Sequence, residues 1–147
     1  MRQFFGMSQN GDLAEALKGL DNPQFIMLMS NDAQFESHVK ALARRYSRVP
    51  SIGCIGMSYD IKMVEEGVGI VAFLDGVAAA ANVLEQASTM PIKYIERLEE
   101  DMRNVGGREE DTVCIDFCTG NDACVLATIN TVLKQKNISL VGGTGDA

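Results

Sequence analysis

A chain of 147 residues, 46% hydrophobic and with only 3 prolines, is long enough to bury one core and has neither the composition of a disordered segment nor that of collagen. Its longest apolar stretches, Phe25 to Met29 and Val68 to Leu74, fall well short of the ~18 residues of a membrane span, and Met1 to Gly11 lacks the long apolar centre of a secretion signal. Thirteen basic against twenty acidic side chains leave a formal charge of -7, which repels phosphate backbones and removes nucleic acid from the expected partners.

A cytoplasmic, single-domain protein over residues 1–147 is therefore expected, with no membrane partner. In chain order, Asp12 to Leu20 opens with Leu13, Ala16, Leu17 and Leu20 on one helical stripe and is stopped by Asp21-Asn22-Pro23. Gln24 to Ser30 is too short and too uniformly apolar for an exposed helix and predicts a strand covered on both faces. Phe35, Val39, Leu42 and Tyr46 form the next helical stripe, ending in Arg44, Arg45 and Arg48, and Ser51 to Ile55 is the next strand. Strand, helix and strand with short joints make a βαβ unit with parallel strands. The arginines complement the negative end of the helix dipole.

Gly67 to Leu74 and Val77 to Leu84 read as two extended segments joined by Asp75-Gly76, a hairpin turn pair. The four alanines of the second segment would suit a helix equally. Pro91 and Gly106-Gly107 bracket a helix on which Ile92, Ile95, Leu98, Met102 and Val105 keep helical spacing. Asp111 to Cys118 is then a strand, Asp122 to Lys136 a helix, and Ser139 to Val141 a short strand. The expected fold class is α/β, a mainly parallel sheet covered by helices, with two similar βαβ units and a β-hairpin between them. MLMSNDA at 27 to 33 lines up with FCTGNDA at 117 to 123, which places an Asn-Asp pair between strand and helix in each unit. A common N-cap preference explains such pairs as simply as a structural repeat does.

Open parallel sheets bind ligands outside the carboxyl ends of their strands. Thr119, Gly120, Asn121 and Asp122 follow one strand and open a helix, whose first N–H groups and dipole favour a carboxylate or phosphate; a tight turn with an N-cap is the plainer reading. Gly53-Cys54 and Gly142-Gly143 mark the two glycine-bearing strand ends, where main chain can approach a ligand or merely turn. Neither segment is a Walker A loop or a full GxGxxG fingerprint.

Four cysteines, Cys54, Cys114, Cys118 and Cys124, form no CxxC pair and are expected to be reduced, partly buried thiols. Cysteine catalysis by Cys118 would need a base, and the only histidine, His38, lies in the other βαβ unit beside an apolar stripe. A hydrogen-bonded core histidine is the ordinary reading of His38, and no metal-ligand spacing is present. The acidic run Glu96, Glu99, Glu100 and Asp101 is a solvated helix face, and the eight methionines are core filler.

Gly53-Cys54 after a strand, Asp116 with Thr119-Gly120-Asn121 before a helix, and Val141-Gly142-Gly143 with Gly145-Asp146 after the last strand together resemble the N-terminal domain of FIST proteins, from about Phe25 onward. The resemblance implies a non-catalytic sensory input domain of signal transduction that binds a small molecule, with amino acids or similar carboxylate metabolites as the ligand class. It implies Gly53, Cys54, Asp116, Thr119, Gly120, Asn121, Gly142 and Gly143 as the ligand-binding residues. It also implies a histidine kinase, a chemotaxis transducer or a cyclic-di-nucleotide enzyme as signalling partner. No cofactor is expected in general, although some members carry haem and sense nitric oxide. The sequence departs from the family at Ile55 to Ser58, where small polar residues and Gly-Glu are usual, and it ends at Ala147, before the second FIST domain.

Overall fold

The computed structural model describes residues 1–56, 58, 59, 62, 63, 65–85, 92–119 and 122–144. The chain falls into two compact units, 1–79 and 80–147, each with its own buried core.

The first unit is built on a four-stranded sheet of β1 (Gln3–Ser8), β2 (Phe25–Ser30), β3 (Ser51–Ile55) and a later strand, β6 (Val68–Phe73), in the order β1-β6-β2-β3. The uniformly apolar β2 occupies an inner position, paired on both sides, as its lack of a polar face requires. Ile26, Leu28, Val68, Ile70 and Ala72 point to one face and are almost fully buried. They pack against Ala16 of α1 (Leu13–Ala16), Leu17 and Leu20 after it, and Leu42 of α2 (Asp32–Arg45). Full burial of a Leu or Ile side chain contributes roughly 1.5–3 kcal/mol before the entropy of ordering is set against it. Asp12 caps α1, accepting from the N–H of Ala14 at 2.9 Å and of Glu15 at 3.3 Å, and Asn31 caps α2 by accepting from Gln34 N–H at 2.9 Å. The first helix is shorter than its stripe predicts, because the chain turns after Leu17 and passes through Gly19 at φ +87°.

β2 and β3 are parallel, as the βαβ pattern requires, but the sheet as a whole is mixed. β6 runs antiparallel to both β1 and β2. Between β3 and β6 lie two short antiparallel strands, β4 (Ser58–Tyr59) and β5 (Lys62–Met63). The hairpin expected at Asp75-Gly76 is not formed: the turn is there, with Gly76 at φ +68°, yet residues 77–84 have no regular structure. Both edges of β6 are already paired, so no ladder is left for a returning strand. The alanines of that segment also add little cross-strand packing. Instead Asp75 ties the start of β1, accepting from Arg2 N–H at 2.9 Å and from Arg2 Nε at 2.5 Å.

The second unit contains α3 (Ile92–Asn104), β7 (Val113–Cys118), α4 (Asp122–Leu133) with a 3-10 turn at Lys134–Lys136, and β8 (Ser139–Thr144). β7 and β8 are parallel, so this βαβ unit also closes as expected. Met102, Ile129, Val132, Leu133 and Ile138 form its core, with Ile95, Leu98, Cys114, Val125 and Leu140 packed against them. The two glycines past α3 do what their position in the sequence suggests. Gly106, at φ +68°, donates to the Arg103 carbonyl at 3.1 Å and Gly107 to the Met102 carbonyl at 2.9 Å, the paired bonds of a Schellman ending.

Candidate functional site

In the second unit β7 carries Cys114, Asp116 and Cys118 on one face, since alternate residues of a strand point the same way. Their register partners on β8 are Leu140, Gly142 and Thr144. Cys114 and Leu140 belong to the core beneath the helices, so Asp116 and Gly142 continue that face toward the carboxyl end of the pair. Thr119 follows β7 and is exposed, and α4 begins three residues later, so its first-turn N–H groups lie at the carboxyl end of β7. The structure thus brings Asp116, Thr119, Gly142 and Gly143 to one strand end. Gly120 and Asn121 lie outside the described residues.

A Cβ at Gly142 would stand 2.0 Å from the Asp116 carbonyl oxygen, so only glycine lets β8 come this close to β7. At Gly143 a Cβ would meet nothing within 4 Å, and the residue is exposed. Asp116 is half-buried, and that desolvation raises its carboxyl above the ordinary range, partly opposed by a hydrogen bond from the Cys118 thiol. The Cys114 thiol is pushed up to about 11, first by burial and then by the Asp116 charge. At Cys114 burial and the Asp116 charge together oppose thiolate formation, the reverse of what a cysteine nucleophile requires.

Gly53 and Cys54 belong to the first unit. Gly53 is the register partner of Leu28, and a Cβ there would lie 3.4 Å from the Phe35 ring of α2, so this glycine fits the strand under its helix. Cys54 points to the opposite face as the partner of Met29, and burial raises its thiol.

The first unit has its own polar cluster at the carboxyl ends of β1 and β2. His38 is buried on α2; its Nε2 donates to the Gly11 carbonyl at 3.0 Å, and in that tautomer Nδ1 accepts from the Ser30 hydroxyl at 2.7 Å. Asn31 Nδ2 donates to Gln34 Oε1 at 2.9 Å, to the Glu66 carbonyl at 3.0 Å and to the Gly67 carbonyl at 3.2 Å. Ser8 is 2% exposed, donates to Asn10, and accepts from Asp12 N–H at 3.1 Å. These bonds tie the loop at 9–12 to α2 through His38, and the segment 65–67 to the cap of α2 through Asn31. His38 is the core histidine its sequence position suggests. Both ring nitrogens are engaged inside the unit, so it does not fit axial ligation of haem, which needs a free nitrogen facing a cavity. Among the described residues no group of three or more His, Cys, Asp or Glu is placed to hold a metal ion.

Sequence reasoning missed Ser8 and Gly11 because it gave residues 3–8 no strand. The alternation of Phe4, Gly6 and Ser8 toward the helices, followed by Gln-Asn-Gly, was the available signal.

The chain is an α/β protein with two parallel βαβ closures, and small and acidic residues stand where the second one ends. The family model of the FIST N domain matches residues 24–147, and the chain belongs to that family. FIST domains are sensory domains of signal-transduction proteins. No curated protein and no solved structure matches the chain. Among the described residues no helix is long and apolar enough to cross a membrane.

Proposed function

We propose that this chain is a cytoplasmic, non-catalytic sensory input module whose ligand is an amino acid or a similar carboxylate metabolite, held at the carboxyl end of β7 and β8. The observation that carries this reading is Asp116: a half-buried carboxyl facing glycine on the neighbouring strand, next to the start of a helix. A ligand ammonium would pair with Asp116, while its carboxylate would take N–H groups at the start of α4, where dipole charge contributes ~0.3–1 kcal/mol. In this reading Thr119, Gly120 and Asn121 also bind the ligand, Gly142 keeps β8 close to β7, and Gly143 leaves open space beside it. Gly53 and Cys54 are the first unit's counterparts. The domain would pass occupancy to a histidine kinase, a chemotaxis transducer or a cyclic-di-nucleotide enzyme.

The twenty amino acids, screened by thermal shift on this chain, test the reading. It expects one or a few to raise the melting temperature, and Asp116→Asn to abolish that rise while the protein stays folded. No shift with any amino acid, or a shift that Asp116→Asn leaves unchanged, would remove it.

A further inference from the structure

At the end of α2 opposite the Asn31 cap, Arg44, Arg45 and Arg48 are all exposed. None of the three has a carboxylate within ion-pair distance among the described residues, although Lys40 one turn earlier is paired with Glu36 at 2.5 Å. Dipole complementation accounts for Arg44 and Arg45, which lie in the last helical turn, but not for Arg48, which follows the helix end at Tyr46. Hydrogen bonds tie this end of the helix to its surroundings. Tyr46 N–H donates to the Leu42 carbonyl at 2.8 Å, Val49 N–H to the Tyr46 carbonyl at 2.9 Å, and the Tyr46 hydroxyl reaches the Leu20 carbonyl at 3.4 Å. The Arg45 guanidinium lies over the Tyr46 ring at 5.4 Å, a cation–π contact that favours one placement of the exposed fork.

We propose that Arg44, Arg45, Tyr46 and Arg48 form a docking surface for an acidic polypeptide segment of a signalling partner. Arginine and tyrosine are the residues enriched where proteins meet, and a guanidinium fork matches a carboxylate in a bidentate fashion. The net charge of -7 decides between polyanions. A nucleic acid carries dense charge along its whole length and meets that repulsion throughout, whereas a few carboxylates interact within the ~8 Å over which exposed charges act at physiological salt. The patch lies at the amino-terminal edge of β2 and β3, away from the loops of the His38 cluster, and needs no small-molecule ligand to be occupied.

The test uses the full chain and a fluorescein-labelled glutamate-rich peptide, followed by anisotropy at about 20 mM and about 300 mM salt. The expected result is binding at low salt that weakens at high salt. The triple variant Arg44→Gln, Arg45→Gln, Arg48→Gln should bind about tenfold more weakly, the order expected for several screened charge pairs lost together. Lys134→Gln with Lys136→Gln, in the second unit, should change nothing. Glutamine keeps helix propensity, and Arg48→Gln alone, beyond the helix, should weaken binding even if the triple variant loses helix by circular dichroism. No binding by the parent chain, or equal binding by folded variants, overturns the proposal. Tighter binding of an oligothymidine or of phosphatidylserine vesicles than of the peptide overturns the polypeptide as occupant. The readout contains no free amino acid and the arginine variants leave Asp116 in place, so its failure is distinct from failure of the ligand site.

Discussion

His38 Nε2 donates to the Gly11 carbonyl, 27 residues earlier, at 3.0 Å and away from solvent. That one bond joins the second helix to the loop after the first strand, and the Ser30 bond at 2.7 Å joins the same ring to β2. Replacing His38 by Ala removes the partner of the buried Gly11 carbonyl, leaves the Ser30 hydroxyl only the Asn31 carbonyl at 3.1 Å, and opens a cavity, at a cost of about 2–4 kcal/mol. Val39→Ala, next to it but 40% exposed, should cost less than about 1 kcal/mol. Urea denaturation of both variants checks the contrast. Haem added to the parent chain should give no Soret band that depends on His38.

Gly142 and Gly143 are chemically identical neighbours with opposite expectations. Gly142→Ala forces a Cβ to within 2.0 Å of the Asp116 carbonyl oxygen, so β7 and β8 must separate; a loss of about 2 kcal/mol or more is expected. Gly143→Ala meets nothing within 4 Å and should stay within about 0.5 kcal/mol of the parent. Equal melting temperatures for the two variants would contradict the β7–β8 register.

What the sequence made legible follows the strength of its local signals. Parallel closure of both βαβ units, the cap at Asn31 and the glycine ending of α3 rest on short-range chemistry, and all three are present. The mixed sheet was hidden because it depends on β6 pairing antiparallel with β2 and with β1, a long-range choice that no local pattern in Val68–Phe73 or Gln3–Ser8 encodes. Once β1 pairs with β6, β6 itself has no free edge for a returning strand at 77–84, and that consequence of long-range pairing cannot be seen in an Asp-Gly dipeptide. Asp116 was singled out from the sequence, but its depth beside Gly142 comes from the β7–β8 register alone.

Cys114 gives a kinetic prediction. With its thiol pushed up to about 11 by burial and by Asp116, it carries roughly a hundredfold less thiolate at neutral pH than an ordinary cysteine. Iodoacetamide labelling followed by mass spectrometry should therefore modify Cys114 at least about tenfold more slowly than an unstructured cysteine peptide. Asp116→Asn, which removes the charge but keeps the shape, should speed it. Labelling of Cys114 at the peptide's rate would show that the strand is not packed as described.

Asp116 supplies the last prediction, and its sign is opposite to that of a salt-bridged acid. Its folded-state carboxyl is raised by desolvation, so the folded protein binds the proton more readily than the unfolded chain does. The penalty for the ionised form is complete above the raised folded value and vanishes as pH falls below the ordinary carboxylate range. Asp116→Asn should therefore be more stable than the parent at pH 7, with the difference closing on acidification. Asp75 runs the other way: its carboxyl is lowered by the Arg2 hydrogen bonds, so its contribution is present at neutral pH and is lost as pH falls through the lowered value. Melting curves of Asp116→Asn, Asp75→Asn and the parent between about pH 3 and pH 7 separate the two, since carboxylates titrate across that range. If Asp116→Asn is less stable than the parent at pH 7, the carboxylate is held by stronger bonds than the Cys118 thiol provides. If it is more stable but loses ligand-induced stabilisation, a destabilising carboxyl is being kept for binding, the pattern a sensory pocket would leave.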